Sequence, residues 1–312
     1  MATQRDHGGG LDAAIEIHGG SRAGWLDLST GINPVAYPVP ALSAQAWTAL
    51  PDTRMAHDLT QAARQFWNVP ETAAVLAAPG ASALIAQIPR LAAPSGVCIP
   101  APTYNEHAAS FEQQGWQVRP QGAAQAQVLV HPNNPDGRMW SARDLTAPLC
   151  IIDESFCDVA PDRSLIAQAA RPGTIVLKSF GKFWGLAGVR LGFAIGDPAL
   201  IARLRDMLGP WPVSGVALDI GARALRDTAW ADTTRTRLAS DTVRLDALIC
   251  QNNASLLGGT TLFRLYRVDD AQAWQDKLAR HHVWSRIFPY ANDWLRLGLP
   301  GPDGWARLEA AL

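Results

Sequence analysis

Lysine is scarce in this chain, and one of its lysines sits where an amine could do chemistry. Of 27 basic residues only Lys178, Lys182 and Lys277 are lysines, so any reaction that needs a lysine must use one of them. The segment KSFGKFWGLAGVRLGF covers residues 178–193. It carries the end of an apolar run into a turn of small residues. An amine that is to condense with an aldehyde held by the domain needs such a place, with a strand end for rigidity and a tight loop for reach. Lys182 is the expected nucleophile. Ser179, and Arg190 eight residues after Lys182, suit a phosphate: one hydroxyl donor and one planar fork of donors. A second anion site is expected in APGASALIAQ (78–87). There Gly80, Ala81 and Ser82 open a helix whose free N–H groups and dipole favour negative charge.

The elements that must position these groups follow from periodicity. AAVLAA (73–78), GVCIP (96–100), QVLVH (127–131), LCIIDE (149–154), TIVLKS (174–179) and RLGFAIG (190–196) read as strands. Several are apolar on both faces, as strands covered by helices on each side are. Residues 55–67 read as a helix before them, and 83–92 and 104–114 as helices between them. This alternation predicts an α/β fold whose large domain holds a mostly parallel sheet. The crossover from 131 to 149 is short, so any helix in it must be brief. After about residue 200 the pattern changes. LIARLRDML and 216–250 are helical, and TLFRLYR, VWSRIF and WLRLGL read as strands around a helix at 270–281. The expected organisation is an irregular Gly- and Pro-rich arm over 1–40, a large domain over 41–209 and a small α+β domain over 210–312. The last boundary rests on the breaker-rich Gly209–Pro212.

Composition narrows the classes. Hydrophobic residues make up 48% and charged residues 18% of 312 residues, enough for a buried core. A net charge of −1 favours neither nucleic acid nor an anionic membrane as a partner. No apolar run is long enough to span a bilayer. MATQRDHGGGLDAA shows no apolar signal core, and the four cysteines lack metal-type C-x-x-C spacing. Reduced thiols and a cytoplasmic location are the expectation.

The lysine segment resembles the lysine motif of the class I and II pyridoxal-phosphate (PLP) aminotransferases. More narrowly it resembles those of histidinol-phosphate aminotransferases and threonine-phosphate decarboxylases. Other motifs continue the resemblance in order along nearly the whole chain. It implies the aspartate-aminotransferase fold (PLP fold type I), with PLP on Lys182. HPNNPDGR (131–138) is similar to the family's Asn-Pro-Thr-Gly turn, which makes Asn134 the donor to the cofactor's phenolic oxygen. In IIDESF (151–156), Asp153 takes the place of the carboxylate that holds the pyridine nitrogen protonated. Gly80, Ala81 and Ser82 match the phosphate loop, and Tyr104 in APTYNEH matches the aromatic residue stacked on the ring.

The arm and the C-terminal part point to the substrate. His7-Gly8-Gly9 stands twenty residues before LDLSTGINP (26–34), which resembles the threonine-phosphate decarboxylases of cobalamin biosynthesis. A second His-Gly-Gly at His18 has the wrong distance. PWPVSG (210–215), TLFRLY (261–266), SRIFPY (285–290) and WLRLGLPG (294–301) extend the likeness. By it, Arg296 binds the substrate carboxylate and Arg286 the phospho-amino acid's other anion. His7, Gly8, Gly31 and Asn134 complete the substrate residues. The implied reaction converts O-phospho-L-threonine to (R)-1-aminopropan-2-yl phosphate and CO2, in a homodimer. Cofactor motifs serve decarboxylation and transamination alike, because the bond held perpendicular to the ring is the one that breaks. A histidinol-phosphate-type or other phospho-amino-acid aminotransferase is therefore the alternative, and a non-catalytic scaffold a third.

Five positions depart from the family pattern. Gly181 replaces a frequent Ser or Thr, and Leu50 a Tyr that reaches the neighbouring subunit's cofactor phosphate. Asp136 replaces the turn's Thr, and Phe156 a Tyr that hydrogen-bonds the phenolic oxygen. Gly31 also leaves only backbone where some decarboxylases present an Asn.

Overall fold

The structure is a computed structural model and describes residues 7–39 and 41–312. In chain order it begins with α1 (Leu11–His18), β1 (Leu26–Asp27), α2 (Ala44–Thr48), α3 (Thr53–Phe66), β2 (Ala74–Ala78) and α4 (Ala81–Gln87). Then come β3 (Gly96–Cys98), α5 (Asn105–Gln113), β4 (Gln117–Arg119), β5 (Ala126–Val130), β6 (Leu149–Asp153), β7 (Thr174–Ser179) and β8 (Gly192–Gly196). The rest is α6 (Pro198–Leu208), α7 (Gly215–Arg226), α8 (Thr228–Cys250), β9 (Ser255–Thr260), β10 (Phe263–Arg267), α9 (Ala271–Ala279), β11 (Val283–Trp284), β12 (Arg286–Phe288), β13 (Ala291–Gly298) and α10 (Trp305–Ala311).

Contacts divide the chain into two units. The larger holds 36–134 and 138–232; the smaller holds the chain up to Val35, 135–137 and 233–312. The larger unit contains a seven-stranded sheet in the order β2-β8-β7-β6-β5-β3-β4. β4, β3, β5, β6 and β7 pair in parallel, and β8 runs antiparallel to both β7 and β2. The sheet is therefore mixed, with β8, second from the β2 edge, running against the others. β5 and β6 are buried at every position, and β7 at every position except Ser179. Val128, Ile151, Ile175 and Ala194 join Leu84, Phe111 and Ile201 of the covering helices in one core. The 131–149 crossover holds only the 3-10 turn Ala142–Asp144.

Residues 210–232, which the sequence reading gives to the small domain, pack in the larger unit. Side-chain-free positions of α7 explain this. A Cβ on Gly215 would lie 2.7 Å from the Ala46 carbonyl oxygen, and one on Gly221 2.5 Å from Leu191 Cδ2 and 2.9 Å from Leu59 Cδ1. α7 thus lies flush on α2 and α3, and the change of unit falls inside α8.

In the smaller unit, β12-β13-β10-β9 form an antiparallel sheet. α8 ties to it through Asp246, which accepts from Arg264 Nε and Nη2 and from the Tyr266 hydroxyl. The arm departs from the irregular reading. LDAAIEIH forms α1, because Ala14 is fully buried against Trp25 and Ala279, with Leu11, Ile15 and Trp284 beside them. After it β1 pairs in parallel with β11.

Candidate active site

Three neighbouring parallel strands of the larger unit end in the residues the sequence singled out. β5 leads through His131 to Asn134, β6 ends on Asp153, and β7 ends on Ser179, three residues before Lys182. Asp153 pairs with Val130 on one side and Leu177 on the other, so these ends lie at one level. The carboxyl ends of such strands are where open α/β sheets place ligands.

Asp153 is buried, and its two oxygens are divided between partners. His107 Nε2 donates to Oδ2 over 2.8 Å, while the Ser155 hydroxyl and amide donate to Oδ1 over 2.5 and 3.0 Å. Burial alone would push the carboxyl up. The His107 contact and the two Ser155 hydrogen bonds outweigh it and hold the group below the usual carboxylate range. Asp153 is therefore a buried, ionised acceptor. Sequence reasoning missed His107. Its one signal is its place a helical turn after Tyr104, whose ring meets it edge-on at 6.1 Å. Tyr104 caps α5 and is half-buried against the core.

Lys182 is half-buried, with Nζ 5.2 Å from the centre of the Phe156 ring. Its loop turns twice. The Gly181 amide donates to Ser179 Oγ over 3.2 Å, and the Gly185 amide to the Lys182 carbonyl over 3.1 Å. The other lysine of the motif does a different job. Lys178 Nζ lies 2.6 Å from Glu154 Oε2 and 3.4 Å from Asp158 Oδ1, all three residues buried. Burial would lower its pKa, but Glu154 and Asp158 raise it above the ordinary lysine value, so it stays an ammonium. Asp158 also accepts from the indoles of Trp67 and Trp184. Since Trp184 lies in the Lys182 loop, this buried network anchors the loop to the sheet. Lys277 lies in the smaller unit, 2.5 Å from an oxygen of Leu312.

The residues of the expected anion cradle come together from the start of α4 and from the segment that leads into β8. Gly80, at φ 84°, precedes α4, and a Cβ on it would lie 2.5 Å from Arg190 Nη2. A Cβ on Gly192 would lie 2.4 Å from the Ala81 nitrogen. Glycine at both positions lets Arg190 and the 80–81 backbone approach each other. Arg190 is exposed and itself left-handed at φ 54°, a conformation uncommon for a residue with a side chain. Ser82 is exposed on α4, and Asn134 is half-buried. Its neighbour Asn133 is structural, accepting from Thr103 Oγ1 and donating to the Pro102 carbonyl. Pro135–Gly137 belong to the smaller unit, where the Gly259 amide donates to the Asp136 carbonyl.

The expected substrate residues, Asn134 apart, gather in the smaller unit. Arg286 and Arg296 are direct cross-strand partners on β12 and β13. Both guanidiniums lie over the Phe288 ring, at 5.2 and 6.0 Å, and Arg296 also over Phe263 at 5.2 Å. Arg296 is buried and donates to the Ser29 carbonyl over 2.7 Å. Arg286 donates to the His7 carbonyl over 2.6 Å. Gly8 lies against them: a Cβ there would be 2.5 Å from the Ser29 oxygen and 3.4 Å from Arg296 Nη2. Gly31 is buried. His18 packs near Trp25 and Trp284 at the end of α1.

The sequence pattern of the family "Aminotransferase class I and II" matches residues 24–304. A threonine-phosphate decarboxylase of Pseudomonas aeruginosa is 39% identical, covering 98% of this chain and 97% of its own. One from a Sinorhizobium species is 38% identical over the same shares. Among solved structures, the histidinol-phosphate aminotransferase of Sinorhizobium meliloti in complex with pyridoxal-5'-phosphate superimposes with a TM-score of 0.81 at 19% identity, covering 97% of this chain and 93% of that one. Strand ends carrying Asn134, Asp153 and Lys182, with a family match over nine-tenths of the sequence, place the chain among the class I and II aminotransferases.

Proposed function

We propose that this protein is a PLP-dependent lyase that decarboxylates O-phospho-L-threonine to (R)-1-aminopropan-2-yl phosphate and CO2, a step of cobalamin biosynthesis. The observation that carries the substrate is the Arg286–Arg296 pair. Like charges directly opposite on antiparallel strands are unfavourable, and here they share one aromatic face. A ligand with two anionic groups relieves that repulsion, and a phosphorylated amino acid carries a carboxylate and a phosphate. The two relatives named above support the same substrate.

The residues present fit the cofactor. The cradle at Gly80 and Gly192, which a Cβ would fill, suits a phosphate held by Arg190, Ser179 and the backbone N–H groups of 80–82. The buried, ionised Asp153 suits a protonated ring nitrogen. Lys182 supplies the amine, Asn134 a donor to the phenolic oxygen and Tyr104 a stacking face. When bound, the ring supplies the electron sink for the bond that breaks. Arg296 holds the substrate carboxylate and Arg286 its phosphate, with His7, Gly8 and Gly31 around them. How these groups orient Cα selects which bond breaks.

The protein works in the cytoplasm as a homodimer in this reading. Cys98, Cys150 and Cys157 are buried free thiols and Cys250 an exposed one. Among the described residues no helix is long and apolar enough to cross a membrane. Trp47, Leu50 and Trp211 of the larger unit expose apolar surface that a second copy would cover. Incubating the holoenzyme with O-phospho-L-threonine tests the reading. CO2 and the amino-alcohol phosphate are expected; a keto acid without CO2 would make it an aminotransferase.

A further inference from the structure

We infer that Trp284 and Ser29 are positioning residues that hold the His7–Gly9 segment against the paired arginines and so set the affinity for the substrate's phosphate. The inference rests on the reading of Arg286 and Arg296 as anion anchors. It starts from Gly9, whose two backbone groups are both taken by side chains distant in sequence. Its amide donates to Ser29 Oγ over 2.7 Å, and its carbonyl accepts from Trp284 Nε1 over 2.9 Å. Gly9 and Gly10 have φ of 90° and 73°, so side chains do not constrain this stretch and it must be pinned from outside.

Each pin is itself fixed. Ser29 is fully buried, and its hydroxyl donates to Asp27 Oδ1 over 2.6 Å. A hydroxyl has one proton, so this bond leaves the oxygen lone pairs to accept from Gly9. The Ser29 amide donates to the same Asp27 oxygen over 2.8 Å, which closes a tight turn. On its other side the Ser29 carbonyl accepts from Arg296. Ser29 thus touches the arm with its side chain and Arg296 with its backbone. Trp284 is aimed by an aromatic nest, with Trp25 edge-on at 6.1 Å and His18 at 6.3 Å, and by the Leu28 amide, which donates to its carbonyl. Just before the pinned Gly9, the His7 carbonyl rests on Arg286, and Gly8 lies against Ser29 and Arg296. Where the segment sits therefore decides how much room, and which backbone groups, an anion on these guanidiniums meets.

The test uses Trp284→Phe, which keeps the ring in the nest and removes the N–H, and Ser29→Ala, which keeps the fill and removes the hydroxyl. Hydrogen exchange over residues 7–10 is measured in the ligand-free protein, and steady-state kinetics in the holoenzyme with O-phospho-L-threonine. Binding of inorganic phosphate is measured as well. Each variant should exchange faster at Gly9. Each should raise KM for O-phospho-L-threonine roughly three- to tenfold, the worth of one neutral hydrogen bond, with kcat within about twofold. A general loss of structure would lower kcat and thermal stability together instead. Unchanged exchange in both variants would overturn the inference, and so would faster exchange with unchanged KM and unchanged phosphate affinity. If the wild-type protein releases no CO2 from O-phospho-L-threonine, the proposed reaction falls. Exchange and inorganic phosphate then still decide the inference: weaker phosphate binding in the variants upholds it, equal binding ends it.

Discussion

His107 Nε2 donates to Asp153 Oδ2 over 2.8 Å, joining a helix residue to a strand end forty-six positions later, and both side chains are buried. This contact helps keep a buried carboxylate charged against the cost of its burial. Because its folded pKa is depressed, Asp153 contributes stability that is present above the unfolded value of about 3.9. That stability is lost as pH falls through the lower folded value. Removing a donor moves the folded value up.

His107→Asn should therefore shift the acid limb of the kcat/KM profile to higher pH. It should also lower kcat by about one to two decades, the range of one charge-assisted hydrogen bond. Asp153→Asn should cost far more, because it removes the charge itself. A pH profile of the His107 variant that overlays the wild type would show that Asp153 does not depend on this partner.

Lys178 and Lys182 stand four residues apart and should respond in opposite ways. Borohydride reduction of the holoenzyme should place the pyridoxyl label on Lys182, and Lys182→Ala should abolish turnover. Lys178→Met leaves Glu154 and Asp158 buried without their cation, which should cost about 3–5 kcal/mol of stability. That loss is read from denaturant unfolding. The raised pKa of Lys178 means its contribution is full below the unfolded lysine value of about 10.4 and fades only at higher pH. Label recovered on Lys178 would reverse the assignment.

Gly80 of the cradle and Gly181 of the lysine loop give predictions of opposite sign. Gly80→Ala forces a left-handed alanine whose Cβ lies 2.5 Å from Arg190 Nη2. It should weaken PLP binding by about tenfold or more, by displacing Arg190 and through strain of roughly 1–3 kcal/mol at φ 84° and ψ 156°. Gly181→Ser meets only the ordinary contacts of Ala187 Cα at 3.4 Å and Ser179 Oγ at 3.5 Å. It restores a hydroxyl beside the cradle and should tighten PLP binding about two- to tenfold. Cofactor absorbance during dialysis measures both, and loosening by Gly181→Ser would place the phosphate elsewhere.

What the sequence made legible was local. TIVLKS spans 174–179, the bounds of β7, because an apolar run running into Ser-Phe-Gly-Lys has one reading as a buried strand and its exit turn. The positions of Asp153, at the end of β6, and of Asn134, in the turn that follows β5, were legible for the same reason. His107 was not, since its meaning lies in a contact that only the folded sheet makes. α1 was hidden by the glycines around it, and its stability comes from Trp25 and Ala279 rather than from its own eight residues. The place of α7 was hidden because Gly215 and Gly221 carry no pattern, only the absence of side chains that close packing needs.

The two arginines offer a test of substrate class that does not depend on turnover. They face each other across β12 and β13, but their surroundings differ. Arg296 is buried on Phe263 and the Ser29 carbonyl, whereas Arg286 is half-buried and bonded to the His7 carbonyl. A rigid buried guanidinium suits the carboxylate that every amino-acid substrate carries. A guanidinium that already holds a carbonyl of the arm suits the group that distinguishes one substrate from another. Arg286→Ala should weaken O-phospho-L-threonine by roughly 1.5–3 kcal/mol, one to two decades, and barely touch L-threonine. Arg296→Ala should weaken both ligands, and should also destabilise the fold, since Ser29 and Phe263 lose a buried neighbour. Titrating both ligands into both variants, followed by cofactor absorbance, gives four affinities. Equal losses for the two ligands in Arg286→Ala would mean that this arginine does not read the phosphate, and the substrate class would have to be sought among unphosphorylated amino acids.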